Sequence, residues 1–198
     1  MFINPKRREV NVKIVYYGPP LSGKTTNLIY VHSKTNPEIR GDLISLKTRE
    51  DRTIYFDFLQ LELGEIEGLK PRFNLYTVPG QVRYLASRKL VLRGADGVVF
   101  VADSQAKMRR SNIAAMRNLE QNLREFGVDP SRLPLVLQLN KRDLPDVVPE
   151  ALLQADLGHS GAVCFSSVAT EGVGVLDTLK AIIKLVMAGT HRQLPKNT

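Results

Sequence analysis

The chain has a single cysteine, Cys164. That excludes an internal disulfide and a cysteine metal site, and it fits a reducing cytoplasm. Long hydrophobic runs are also missing. No stretch reaches the roughly 18 apolar residues that a membrane span needs, and MFINPKRREV at the start has no apolar core of signal-peptide length. Residue 2 is Phe rather than the Gly that myristoylation requires, and the last residues form no prenylation box, so no lipid anchor is expected. Aromatics are few, 7% of residues, which argues against a stacking platform for single-stranded nucleic acid. Acids are absent from RYLASRKLVLR (83–93) and KMRR (107–110), within a net charge of +8. A solubilising surface accounts for that charge as well as an acidic partner does, and a nucleic-acid partner rests on the charge alone.

What is present describes an ordinary soluble domain. The 198 residues are 43% hydrophobic and 24% charged, enough for one domain with a full core. Six apolar runs have strand character: 10–17, 53–63, 72–78, 97–103, 133–140 and 162–168. The second and third read as a strand pair joined by GEIEGLKP. Ile113, Met116, Leu119, Leu123 and Phe126 recur at helical spacing, as do Leu176, Leu179, Ile183 and Val186. Strands alternating with helices predict an α/β fold, with a mostly parallel sheet covered on both faces and its ligand at the carboxyl ends of the strands. The domain is expected over 1–188, with a polar, flexible tail over 189–198.

The segment GPPLSGKT (18–25) follows a predicted strand and opens a predicted helix, the context in which a phosphate-binding loop works. Backbone amides of Leu21, Ser22, Gly23, Lys24, Thr25 and Thr26, with Gly18 turning the chain, would wrap an anion at the helix N-terminus. Lys24 would add a positive charge between the outer phosphates, and the Thr25 hydroxyl would ligate Mg²⁺. Pro19 and Pro20 have no N–H to donate; Pro19 stiffens the loop, and Pro20 either does the same or sets a rigid ring against the region of the terminal phosphate.

A phosphate loop alone does not choose a base. NKRD (140–143), directly after the strand LVLQL, supplies that choice. Asp143 can accept two hydrogen bonds from the N1–H and N2 amino group of guanine, at about 1.5–3 kcal/mol each for a charged bond. Adenine leaves the carboxylate unpaired. Lys141 would lay its stem over the base, and Asn140 would tie the neighbouring loops together. After the next strand, in SSVATEGVG (166–174), the Ala169 amide, flanked by Val168 and Thr170, is placed to read the guanine O6.

With these segments in this order, and with LYTVPGQ (75–81) between them, the chain resembles the Ras-like small GTPases. More narrowly, LSGKTTN, RTIYFDFLQL, LYTVPGQ and SRKLVLRGADGVVFVADS resemble the bacterial cell-polarity and gliding-motility GTPases of the MglA type. The resemblance implies a three-layer P-loop NTPase fold with a six-stranded sheet, and GTP hydrolysis with Mg²⁺ as the GTP and GDP states alternate. It implies switch segments over 36–55 and 79–94, a roadblock-type (MglB-like) activating partner, and polarity or motility effectors that bind the switches. It also implies a cytoplasmic protein concentrated at a cell pole in its GTP state. Gly80 would contact the nucleotide, Gln81 would orient the attacking water and Thr53 would be a second metal ligand. Arg52 resembles an arginine finger supplied in cis, with Arg49 the alternative.

Two positions qualify this reading. Small GTPases generally carry aspartate where Thr77 stands, and the MglA type carries threonine. Mg²⁺ is therefore expected to be held more weakly unless Asp57 or Asp103 supplies the charge. Pro20 replaces a family glycine and crowds the glutamine, which predicts slow unassisted hydrolysis. The alternative function is a guanine-nucleotide-gated scaffold with little turnover. The basic 83–93 stretch, Arg83 and Arg88 included, is expected to face an acidic partner.

Overall fold

The computed structural model describes residues 2–4, 8–47, 53–65, 70–79, 85–159 and 161–190. Its centre is an eight-stranded mixed sheet. In chain order the strands are β1 (Phe2–Asn4), β2 (Glu9–Tyr17), β3 (Ile44–Lys47), β4 (Thr53–Glu62), β5 (Lys70–Thr77), β6 (Gly97–Asp103), β7 (Leu135–Asn140) and β8 (Val163–Ser166). Across the sheet they run β3-β4-β5-β2-β6-β7-β8, with β1 paired to β2 off this path. The pairs β5-β2, β2-β6, β6-β7 and β7-β8 are parallel, and β3-β4, β4-β5 and β1-β2 are antiparallel. Seven strands thus lie along the path where six were expected. The addition is β3, a four-residue edge strand too short to show a period of its own.

Among the described residues, five α-helices cover the faces: α1 (Lys24–Lys34), α2 (Leu85–Leu92), α3 (Arg109–Glu125), α4 (Glu150–Asp156) and α5 (Val175–Thr190). Every residue of β6 is buried, as befits a parallel strand covered on both sides. Alternate residues of β2 feed two cores. Val10, Val12, Ile14 and Tyr16 pack with Leu28 and Val31 of α1 and Leu179, Ile182 and Val186 of α5. Val15 and Tyr17 pack with Val91 and Leu92 of α2, Met116, Leu119 and Leu123 of α3 and Leu153 of α4. α5 runs on to Thr190, two residues past 188, the expected end of the domain.

The chain leaves β2 in one direction to build β3, β4 and β5, then returns to build β6, β7 and β8 on the other side of β2. Strand order reverses at the β2/β6 boundary, and the loops leaving the carboxyl ends there frame a crevice. The phosphate loop leaves β2, NKRD leaves β7 and SVAT leaves β8. No helix among the described residues is long and apolar enough to cross a membrane.

Candidate nucleotide-binding site

The loop between β2 and α1 has a backbone that its sequence requires. Gly18 has φ +145° and Gly23 has φ +102°. A Cβ on Gly18 would lie 2.2 Å from the Val101 carbonyl oxygen, and one on Gly23 would lie 2.1 Å from Asn140 Nδ2. Both positions therefore need glycine for space as well as conformation. Leu21 also takes a left-handed φ of +58° and is 77% exposed. Such a cost for a bulky residue is characteristic of ligand-binding loops. The first helical hydrogen bond of α1 runs from Asn27 N to Gly23 O, 3.0 Å, so the amides ahead of it point out of the helix N-terminus.

Lys24 is buried, and its ammonium donates to the carbonyls of Pro19 (2.6 Å) and Gly18 (3.2 Å). Burial, reinforced by the positive charge of Arg88, pushes its pKa down to about 7, against the pull of Asp57. The Ser22 hydroxyl is buried with no hydrogen-bond partner among the described residues. A buried cation held, among the described residues, by neutral carbonyls, beside an unmatched hydroxyl, suits an incoming anion.

The base side is gathered around one cleft of about 290 Å³. Leu21, Gly23 and Thr26 line it from the phosphate loop, Asn140, Lys141 and Asp143 from the loop after β7, and Val168, Ala169 and Thr170 from the loop after β8. Leu144 also lines it and was not anticipated; only its position beside Asp143 could have signalled it. Asn140 joins all three segments. It donates to Ser22 O (2.8 Å) and accepts from Ser167 Oγ (3.0 Å) and the Ala169 amide (2.9 Å). Reading a guanine O6 with the Ala169 amide therefore means sharing its proton with Asn140 in a three-centre bond. Lys141, at φ +67°, sends its ammonium to Asp103 Oδ2 at 2.6 Å. Asp143 is exposed, and its carboxylate has no partner among the described residues.

On the phosphate side the two candidate aspartates separate. Asp103 is taken by Lys141 and by Gln105, whose backbone and side-chain nitrogens both donate to it. Asp57 is fully buried beneath α1 and accepts from Thr25 Oγ1 (2.6 Å), Thr77 Oγ1 (2.7 Å) and Ser45 Oγ. The Asp57 amide in turn donates to Thr77 Oγ1 at 2.9 Å. The sequence carried a signal for this. Asp57 shares the inward face of β4 with Leu59 and Leu61, and a charge on a core-facing register needs a reason. Carboxylate and hydroxyl oxygens without nitrogen or sulfur form a donor set that fits Mg²⁺.

Arg88 corrects an expectation. It is 4% exposed and cannot face a partner. Thr53 opens β4, but its side chain lies outside the described residues, as do Arg49, Arg52, Gly80, Gln81 and Arg83.

No family model matches the chain. It is 57% identical over 186 residues to the mutual gliding-motility protein MglA of Myxococcus xanthus, covering 94% of this chain and 95% of that protein. It is 24% identical over 188 residues to the Ras-related protein Rab-32C of Dictyostelium discoideum, covering 93% of this chain and 77% of that protein. Elongation factor 4 of Gloeobacter violaceus is 27% identical over 147 residues, a match that covers 72% of this chain and only 23% of that protein.

Proposed function

Because the chain belongs to the MglA-type branch of the Ras-like small GTPases, we propose that it is a guanine-nucleotide switch for cell polarity and gliding motility. It binds GTP with Mg²⁺, hydrolyses it slowly unaided, and signals through the segments over 36–55 and 79–94. The observation that carries this reading is the single cleft lined by the phosphate loop, the NKRD segment and the SVAT segment. A purine in that cleft would meet the Asp143 carboxylate while its phosphates run to Lys24 and the N-terminus of α1.

Thr25 and Thr53 would hold the metal, with Asp57 supplying through Thr25 and Thr77 the negative charge that Thr77 lacks. Bound Mg²⁺ neutralises charge on the outer phosphates. Lys24 balances the same charge from the other side, Gln81 orients water and Arg52 offsets charge on the departing phosphate. Effectors and a roadblock-type activating protein would engage the switch segments in the GTP state, in the cytoplasm and concentrated at a pole.

Mass spectrometry of the nucleotide carried by the purified protein tests the binding half, and GDP or GTP is the expected species. Chromatography after incubation with GTP and the activating protein tests turnover. Bound GTP that persists through that incubation would leave the scaffold reading, which Pro20 and Thr77 favour.

A further inference from the structure

The crevice has a second tie beneath Asn140. Two residues back on the same face of β7, Gln138 is fully buried, as are Asn27 on α1 and Thr178 on α5. The two carboxamides face each other. Asn27 Nδ2 donates to Gln138 Oε1, and Gln138 Nε2 donates to Asn27 Oδ1, both at 2.9 Å. Their other amide hydrogens are also met. Asn27 Nδ2 donates to the Gly23 carbonyl at 2.9 Å, and Gln138 Nε2 donates to Thr178 Oγ1 at 3.2 Å. The Thr178 hydroxyl in turn donates to the Gly174 carbonyl at 2.7 Å. The bonds thus run from Gly23, just ahead of α1, to Gly174, just ahead of α5. They have one polarity, because turning the Asn27 amide over would set its oxygen against the Gly23 oxygen.

Stability alone does not call for such a set. An apolar pair of the same shape fills a core position about as well as a hydrogen-bonded pair. What the amides add is fixed geometry at both ends. The Gly23 carbonyl and the Lys24 N–H share one planar peptide unit, so holding the oxygen sets the direction of an amide at the N-terminus of α1. Gly174, at φ +71°, closes the loop that carries Val168, Ala169 and Thr170, and a Cβ on it would lie 2.3 Å from the Ser166 carbonyl oxygen. Asn140 ties the same two loops through Ser22 O and the Ala169 amide, but a bound guanine would compete for that amide. Asn27, Gln138 and Thr178 do not line the cleft, so a ligand leaves their bonds intact. We propose that these three are positioning residues for nucleotide binding: they lock the phosphate loop and the loop after β8 at one separation, so that a nucleotide is gripped at both ends together and released slowly. The assignment rests on the guanine-nucleotide reading above.

The test is displacement of a fluorescent GDP analogue by excess GDP, read as a release rate, with the thermal midpoint of each protein measured alongside. Asn27→Leu or Gln138→Met alone strands the partner amide, which lowers the midpoint and speeds release. Asn27→Leu with Gln138→Met removes both amides at nearly constant volume. Gly23 O keeps the backbone N–H of residue 27 at 3.0 Å, and Thr178 keeps Gly174 O. The midpoint of this double variant is expected to return close to wild type. Its release is expected to stay about 5–50-fold faster, within the range of coupling between contacting groups. A merely structural pair would recover its release rate together with its stability. Thr178→Val is expected to speed release several-fold and Thr178→Ser to leave it near wild type, and these two carry the test should the double variant fail to fold. Leu123→Ala, in the core beneath α3, is the control, with a lowered midpoint and unchanged release. A double variant that releases at the wild-type rate, Thr178→Val as slow as Thr178→Ser, or Leu123→Ala as fast as the double variant overturns the assignment while leaving the reading of the site intact. A wild-type chain that binds no GDP analogue overturns both.

Discussion

At the scale of single residues, the negative charge next to Thr77 comes from the neighbouring strand. Thr77 on β5 carries no charge, and Asp57 stands beside it on β4, one step beyond the register pair Phe58–Tyr76. Asp57→Asn is therefore expected to lower Mg²⁺ affinity about 10–100-fold, the range for removing an outer-shell partner of a metal site. Thr77→Asp in the same chain should restore most of it. Mg²⁺ titration of nucleotide release measures both, and an Asp57→Asn protein with unchanged metal dependence would remove the idea. Lys24 carries a second expectation. Its pKa is pushed down to about 7, chiefly by burial, whereas a bound phosphate chain favours the ammonium. Below pH 7 the ammonium is present both free and bound. Above it, binding must take up a proton, so affinity falls as pH rises, by up to about tenfold per unit. Fluorescence titration with a GDP analogue from about pH 6.5 to 8.5 reads this slope, and Lys24→Met should flatten it. Pro20→Gly should raise unassisted hydrolysis, because it removes a rigid ring from the phosphate loop; single-turnover hydrolysis checks it, and a flat rate would discard the crowding argument.

At the scale of elements, the close packing of α5 on β6 holds the crevice strands in place. A Cβ on Gly97 would lie 2.6 Å from Val186 Cγ2 and 3.0 Å from Ile182 Cδ1. Gly97→Ala is expected to cost about 1–3 kcal/mol by overpacking, measured by urea unfolding, and a loss under about 0.5 kcal/mol would mean that α5 yields freely. The elements legible in the sequence were those with a long period or a strong motif. The six apolar runs became β2, β4, β5, β6, β7 and β8, and the two helical repeats became α3 and α5. β1 and β3, at three and four residues, give periodicity nothing to act on. The phosphate loop and NKRD were legible because each is contiguous. The Asp57–Thr25–Thr77 cluster was legible only in part: Asp57 and Asp103 were equal candidates for the charge, and only tertiary structure, which joins three elements, selects Asp57. Arg88 was misread for the same reason. A basic run looks solvated in sequence, and only the packing of α2 on α3 and Tyr17 reveals a buried guanidinium.

At the scale of the whole molecule, the topology does the assembling. Segments more than a hundred residues apart, such as Ser22 and Asn140, meet at 2.8 Å because β2, β7 and β8 run parallel and release their loops at the same sheet edge. That convergence gathers motifs that are each weak alone around one cleft, as the proposed purine site requires. The net charge of +8 adds long-range attraction for a polyanionic nucleotide of either base, so it cannot supply the selectivity; Asp143 must. The most direct measurement is competition between GTP and ATP for the nucleotide-free protein, repeated with Asp143→Ala. The account predicts that ATP fails to displace GTP at large excess, and that Asp143→Ala weakens GTP roughly 10²–10⁴-fold through two lost charged hydrogen bonds while leaving ATP nearly unchanged. Equal displacement by ATP in the wild-type chain, or an Asp143→Ala protein that holds GTP undiminished, would contradict it.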